Sequence, residues 1–322
     1  MSLRLTADER SQVSDAPAPA GADAMKAVLC RTPFSNPEWI FERKLDGIRC
    51  VAIRDGERLR MLSRNDLDLD GRFPEVRDAL AAQASTRFAV DGEVVAFHRG
   101  RTSFARLADR GRHAVAVFYY IFDLVWLDGV DLRALPLRTR KRLLREALSA
   151  GGPIRLSTHR NGEGEAMFRH ACAQGWEGVV AKRADSPYRA SRSRDWLKFK
   201  CEAGQELVIG GFTAPRGSRS DFGALLLGYH DPDGALRYAG KVGTGFDQDT
   251  LAELGARLRA LARPDSPFSP RDTIRERAIT WVAPTLVAQL AFTEWTRAGR
   301  LRHPRFLGLR EDKSAGEVVR ER

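Results

Sequence analysis

The ten residues Phe41-Glu42-Arg43-Lys44-Leu45-Asp46-Gly47-Ile48-Arg49-Cys50 (FERKLDGIRC) set a lysine two residues before an Asp-Gly and five before an arginine. Two readings compete. Asp-Gly is a strong turn signal and flanking charges mark solvated edges, which describes a plain hairpin. The alternative is an amine held among charges for a chemical purpose. The rest of the chain decides between them.

Outward from Lys44, charged residues recur inside apolar runs. They are Asp91-Gly92-Glu93 in AVDGEVVAF, Asp123 in YYIFDLVWL, Glu177-Gly178 and Lys182 in WEGVVAKR, Lys198 and Lys200 in WLKFK, and Arg310-Glu311-Asp312-Lys313 near the end. Burying charge is costly unless it is paired or binds something. Lysines, two glutamates and an arginine converging in one cleft would form a site for a nucleotide phosphate chain and its Mg²⁺.

Composition points the same way. The 322 residues carry a formal charge of +11 and a pI near 9.9, so an extended partner is expected to be polyanionic, with nucleic acid first. No cationic amphipathic helix suits a membrane surface, and VAVFYYIF is too short to span a bilayer. Cys30, Cys50, Cys172 and Cys201 are scattered, with no C-x-x-C, which suggests neither a disulfide framework nor a zinc site. With no apolar signal core at the N-terminus, a reduced, cytoplasmic protein is expected.

Residues 1–24, with SDAPAPAGADA, are small, Pro/Ala-rich and without aromatics, and are expected to form a disordered tail. From 25 to 202, runs such as CVAIRDG, RFAVDGEVVAF and AVAVFYYIFDLVWL alternate with helical patterns, RFPEVRDALAAQ, LRTRKRLLREALSA and GEAMFRHACAQG. This is the texture of an α+β domain. From 203 to 322 short strands are separated by Gly and Pro-Asp-Gly turns, with a helical insert at QDTLAELGARLRALA. A small β-barrel of OB-fold type is the expected architecture there.

In order and wording the charged segments resemble the motifs of the covalent nucleotidyltransferases: K-x-D-G-x-R, S-R, D-G-E, aromatic-F-D, E-G-V-V-x-K and K-x-K. That family comprises ATP-dependent DNA ligases, RNA ligases and mRNA capping enzymes. GGFTAPRGSRSDFGALLLGY, RYAGKVGTGF and RHPRFLGLREDK are most similar to the ligase domain of bacterial non-homologous end-joining DNA ligases, here stand-alone or excised from a longer protein. The resemblance implies an ATP-grasp-like adenylation domain followed by an OB-fold domain.

It also implies roles. Lys44 would attack the α-phosphorus of ATP as a neutral amine, with Arg49, Lys198, Lys200 and a bound metal disfavouring its protonated form. Lys198 and Lys200 would contact the α-phosphate. Glu93 and Glu177, with Asp46, would serve ribose and Mg²⁺ or Mn²⁺. Phe122 would stack on adenine and the Glu42 backbone would read its edge. Arg49 would hold the ribose, and Arg64 in LSRND the 5′-phosphate of a nick. Arg310, Asp312 and Lys313 would orient pyrophosphate when the second domain closes.

The expected activity is sealing of nicked or broken duplex DNA through lysyl-AMP and 5′-adenylated DNA, in double-strand-break repair. A Ku-like end-binding protein is the implied partner, at the nucleoid, with the ligase itself a monomer. An RNA ligase or a GTP-using capping enzyme is the rival within the family. A non-catalytic DNA-binding module is the rival outside it, and the intact set Lys44, Glu93, Glu177, Lys198 and Lys200 speaks against it.

Overall fold

The computed structural model describes residues 3–108, 110, 114–201, 203–215 and 221–321. The chain divides into two compact units, Met1–Cys201 and Glu202–Arg322. Glu202, at the expected domain boundary, and residues 216–220, within one of the segments that carry the resemblance, lie outside the described residues.

The first unit stacks two sheets. In one, the strands Ile48–Asp55, Arg87–His98 and Val117–Leu127 run antiparallel side by side, with Arg58–Ser63 at one edge. The other is five-stranded, in the order Arg160–Gly162, Asn36–Lys44, Gly178–Arg183, Arg192–Lys200 and Lys26–Leu29. Asn36–Lys44 and Ile48–Asp55 therefore belong to different sheets. The hairpin reading of Asp46-Gly47 fails on that pairing: Leu45–Gly47 carries the chain from one sheet to the other. A side chain at Gly47 would come within 2.2 Å of the Val94 carbonyl, so the crossover passes too close to the neighbouring strand for any other residue.

Alternation along the strands sorts the side chains into layers. Phe41, Val179, Ala181, Leu197 and Phe199 pack against Met167 and Ala171 of the helix Gly164–Ala173. On the other sheet Cys50, Ala52, Val90 and Val94 face a core shared with the helices Pro74–Ala81 and Leu137–Ala147. Between the sheets lie Val51, Ile53, Ala89, Phe122, Tyr188 and Trp196. Each sheet thus turns one apolar face outward to helices and its other face toward the inter-sheet layer.

The second unit curls strands Ala203–Thr213, Leu225–His230, Leu236–Val242, Ile279–Val282, Val287–Phe292 and Arg305–Leu309 around Leu207, Ile209, Phe222, Leu225, Leu227 and Leu290. The helix Gln248–Ala260 covers this core with Leu251, Leu254 and Leu258, and the Asp247 side chain accepts from Thr250 N at its start.

Two expectations are corrected. The N-terminal segment is not a disordered tail. Thr6 and Glu9 form a reciprocal capping box on the helix Ala7–Ser11, Ser14–Asp15 pairs with Val130–Asp131, Trp126 Nε1 donates to Ala16 O at 2.8 Å, and Ala22 and Ala24 are buried. Its small residues cannot build a core of their own, but they fit against one already built. Nor are all four cysteines free, because Cys172 and Cys201 form a disulfide. The last turn of the Gly164–Ala173 helix and the residue after the Arg192–Lys200 strand are neighbours only through tertiary packing, which no sequence spacing encodes.

That bond closes a 29-residue separation, for which loop entropy implies a stabilisation of about 3.5 kcal/mol. Reduction should lower the denaturant midpoint of the first unit, and Cys172→Ser should show the same midpoint with or without reductant. Urea titrations of both proteins, with peptide mapping of the bond, check this.

Candidate active site

Strand register assembles the site. Lys44 pairs with Gly178 and Gly178 with Lys200; two residues along, Glu42 pairs with Val180 and Val180 with Lys198. A further step brings Ile40, Lys182 and Trp196 into line. Residues two apart share a face, so Glu42, Lys44, Lys182, Lys198 and Lys200 all rise from the side that carries Trp196. The row closes only because residue 178 is glycine: its φ is +151°, and a Cβ there would lie 1.9 Å from the Phe199 carbonyl.

At the end of the row Lys44 Nζ donates to Glu177 Oε2 at 2.6 Å, with both side chains partly exposed. The nearest charge to the amine is therefore a carboxylate, whereas cations were expected to surround it. From the facing sheet Arg49 stands opposite Glu93 and grips both oxygens of Asp91, which also accepts from Tyr188 Oη at 2.6 Å. Asp91, the first residue of D-G-E, is fully buried and works as a clamp on Arg49.

Phe122 differs from expectation. It is only 8% exposed, and its ring is covered by Lys182 Nζ at 4.1 Å and the Arg49 guanidinium carbon at 4.7 Å. Lys182 lies equally close to Trp196. A base stacking on Phe122 would have to displace that ammonium. Sequence reasoning gave Lys182 no role of its own, although its place in a charged motif inside an apolar strand was the available signal.

Glu42 contributes more than backbone. Its carboxylate is buried between Lys141 Nζ at 2.5 Å and Lys182 Nζ at 2.8 Å. Burial alone would raise this carboxyl, but the two ammoniums hold it below the ordinary value. Lys182 yields instead: burial and the like charge of Lys141 bring it from 10.5 down to about 8 despite Glu42.

Asp46 turns toward the segment that follows Arg101–Thr102, where Oδ2 accepts from Phe104 N at 3.0 Å and its own N–H donates to Thr102 Oγ1. Among the described residues no three His, Cys, Asp or Glu side chains gather as a metal cage. Hard carboxylates such as Glu93 and Glu177 still suit Mg²⁺, which takes one or two carboxylates and completes its shell with water and phosphate oxygens. Arg64 sits partly buried in the turn after Arg58–Ser63, where the Ser63 hydroxyl accepts from Asn65 N and Leu67 N.

Arg310 and Lys313 belong to the second unit. Arg310 forks onto Asp312 at 2.8 and 2.7 Å and reaches Gln289, while Lys313 lies 3.2 Å from Glu206. Asp312 is fully buried, so the last motif is built into the barrel wall.

Comparison with known proteins identifies the family. Residues 22–200 match the family model described as the ATP dependent DNA ligase domain, and residues 218–313 match the ATP dependent DNA ligase C terminal region. The chain belongs to the ATP-dependent DNA ligases. Over 297 residues it is 41% identical to a multifunctional non-homologous end joining protein LigD of Pseudomonas aeruginosa, covering 88% of this chain and 35% of that protein. A LigD of Mycolicibacterium smegmatis is 38% identical, with 89% and 38% covered. The chain thus spans little more than a third of these relatives' length.

Among solved structures, a mycobacterial DNA ligase D complexed with ATP and MES aligns over 92% of this chain and 98% of its own, with a TM-score of 0.65 and 36% identity. The architecture is accordingly a nucleotidyltransferase domain followed by an OB-fold domain. Among the described residues no helix is long and apolar enough to cross a membrane.

The depressed Lys182 has a consequence for stability. A group whose folded-state pKa is lowered contributes stability that is fully present above its unfolded value, here 10.5, and lost as pH falls through about 8. Wild-type unfolding free energy minus that of Lys182→Met should therefore rise between pH 8 and 10.5. Paired denaturant titrations across that window measure the slope; a flat difference would show that Lys182 is not held as described.

Proposed function

We propose that this ligase seals nicks and broken ends in duplex DNA through lysyl-AMP on Lys44, and that it serves double-strand-break repair with a Ku-like end-binding partner at the nucleoid. The observation that carries the reading is the row Lys44, Gly178, Lys200 with Glu177 on the Lys44 amine. One nucleophilic amine and two lysines that can neutralise phosphate stand on one face of the sheet.

The chemistry follows from that row. Lys44 Nζ, oriented by Glu177 before nucleotide arrives, forms a bond to the α-phosphorus of ATP as the bond from that phosphorus to the bridging oxygen of pyrophosphate breaks, and the amine proton passes to solvent. Lys198 and Lys200 face the α-phosphate and offset the charge that spreads over its oxygens. Glu93 and Glu177 would hold Mg²⁺ or Mn²⁺, which when bound neutralises phosphate charge. In the second step a DNA 5′-phosphate, held by the Arg64 guanidinium, takes AMP from Lys44. In the third the 3′-hydroxyl attacks that phosphate and AMP departs. Arg310 and Lys313 would act on pyrophosphate in the first step only.

Wild-type protein with α-labelled ATP and Mg²⁺ should form an acid-stable adduct, and labelled GTP should form it far more weakly. Lys44→Ala should reduce that adduct on the order of 10⁴-fold or more, the scale seen when a nucleophile is removed, yet seal a pre-adenylylated nick near the wild-type rate. An adduct of full strength in Lys44→Ala, or preference for GTP in the wild type, would contradict the proposal.

Arg310→Ala separates the steps further. It should lower adduct formation about tenfold or more while pre-adenylylated nicks are still sealed, whereas Glu177→Ala should impair both. Single-turnover assays of the two reactions decide this, and equal losses for Arg310→Ala would assign that residue to folding.

A further inference from the structure

The helix Leu137–Ala147 is rich in basic residues, which on a helix ordinarily reach water with their charged ends. In the structure two consecutive members, Arg140 and Lys141, are buried, at 0% and 2% exposure. Arg140 forks onto Asp123 at 2.7 and 2.9 Å and donates to the carbonyls of Leu135 and Ser186. Lys141 Nζ lies 2.5 Å from Glu42 Oε1 and donates to the Phe122 carbonyl at 3.0 Å.

The pair thus grips both residues of the Phe122-Asp123 motif from one turn of helix. Lys141 alone reaches across: Glu42 belongs to the five-stranded sheet and Phe122 to the facing one. Those two residues are the ones assigned above to the nucleotide base, and Lys141 lies in none of the six motifs.

Burying an ammonium is costly, and a buried ion pair is weak support for stability as such. An apolar side chain at position 141 would avoid that desolvation and leave Glu42 to Lys182 alone. What it would not do is fix the spacing between the Glu42 carboxylate and the Phe122 backbone.

We infer that Lys141 is a positioning residue for the nucleotide base, setting the separation of the two walls between which the base enters. It touches neither the phosphates nor Lys44, so its loss degrades recognition of the base and spares the chemical step. This rests on the adenylylation reading above.

The test compares Lys141→Met with wild type in lysyl-nucleotide formation from ATP and from GTP. The KM for ATP should rise about tenfold or more with kcat within about threefold, and the preference for ATP over GTP should fall by a similar factor. A general structural defect would reduce both nucleotides alike and leave the ratio unchanged, which would overturn the inference. So would a loss in kcat at unchanged KM.

Thermal unfolding shows whether the variant is folded. If it is not, Lys141→Gln, which keeps a hydrogen-bond donor, carries the same comparison, and an unaltered ATP preference there overturns the inference. Failure of both variants to fold would assign Lys141 to the fold as a whole and overturn it equally. Absence of any adduct in the wild type would instead defeat the adenylylation reading, so the two failures are distinguishable.

Discussion

Lys44, Gly178 and Lys200 stand opposite one another across three strands, and that alignment is the constraint from which the rest of the site follows. Strand side chains alternate, so a slip of one residue at either pairing would send Lys198 and Lys200 into the helix-covered face and bring Leu197 and Phe199 out. The apolar layer of Phe41, Val179, Ala181 and Phe199 forbids such a slip. The reactive face is therefore held by the unreactive one. Gly178 completes the arrangement by letting the central strand approach the Phe199 carbonyl closely enough to keep Glu177 beside Lys44.

The motif residues could be read in sequence because strands make chemistry periodic. A charge at every second position of an apolar run is improbable unless that face binds something, and K-x-K and D-G-E each carry the signal. Helices hide the same information. Arg140 and Lys141 sit in a run where basic residues ordinarily reach solvent, and only the packing of that helix against Val117–Leu127 reveals that both are enclosed. The Cys172–Cys201 bond and the docking of residues 3–24 were hidden for a related reason. Each depends on a surface supplied by distant parts of the chain, and neither has a local pattern. Asp46 was legible as important but not as to its partner, since its carboxylate serves Phe104 N.

The charges in the inter-sheet layer do not balance locally. Arg49 meets Asp91, and Arg140 meets Asp123, each as a fork onto one carboxylate. Glu42, by contrast, faces two ammoniums. The excess positive charge falls on Lys182, which compensates partly by losing affinity for its proton and partly by lying over the π-faces of Phe122 and Trp196. Lys141 donates instead to the Phe122 carbonyl.

That asymmetry makes Lys182 the movable member of the trio. Lys141 is fixed by a carboxylate and a carbonyl on different sheets, so shifting it would open both walls. Lys182 is fixed by Glu42 and by two aromatic faces, and a purine presents a face of the same electronic kind. On the proposed reading, a base stacking on Phe122 would replace one ring contact of Lys182 with another while Glu42 kept its hydrogen bond to Lys182. Two lysines thus share one carboxylate but differ in their second partner, a backbone carbonyl for Lys141 and two aromatic faces for Lys182.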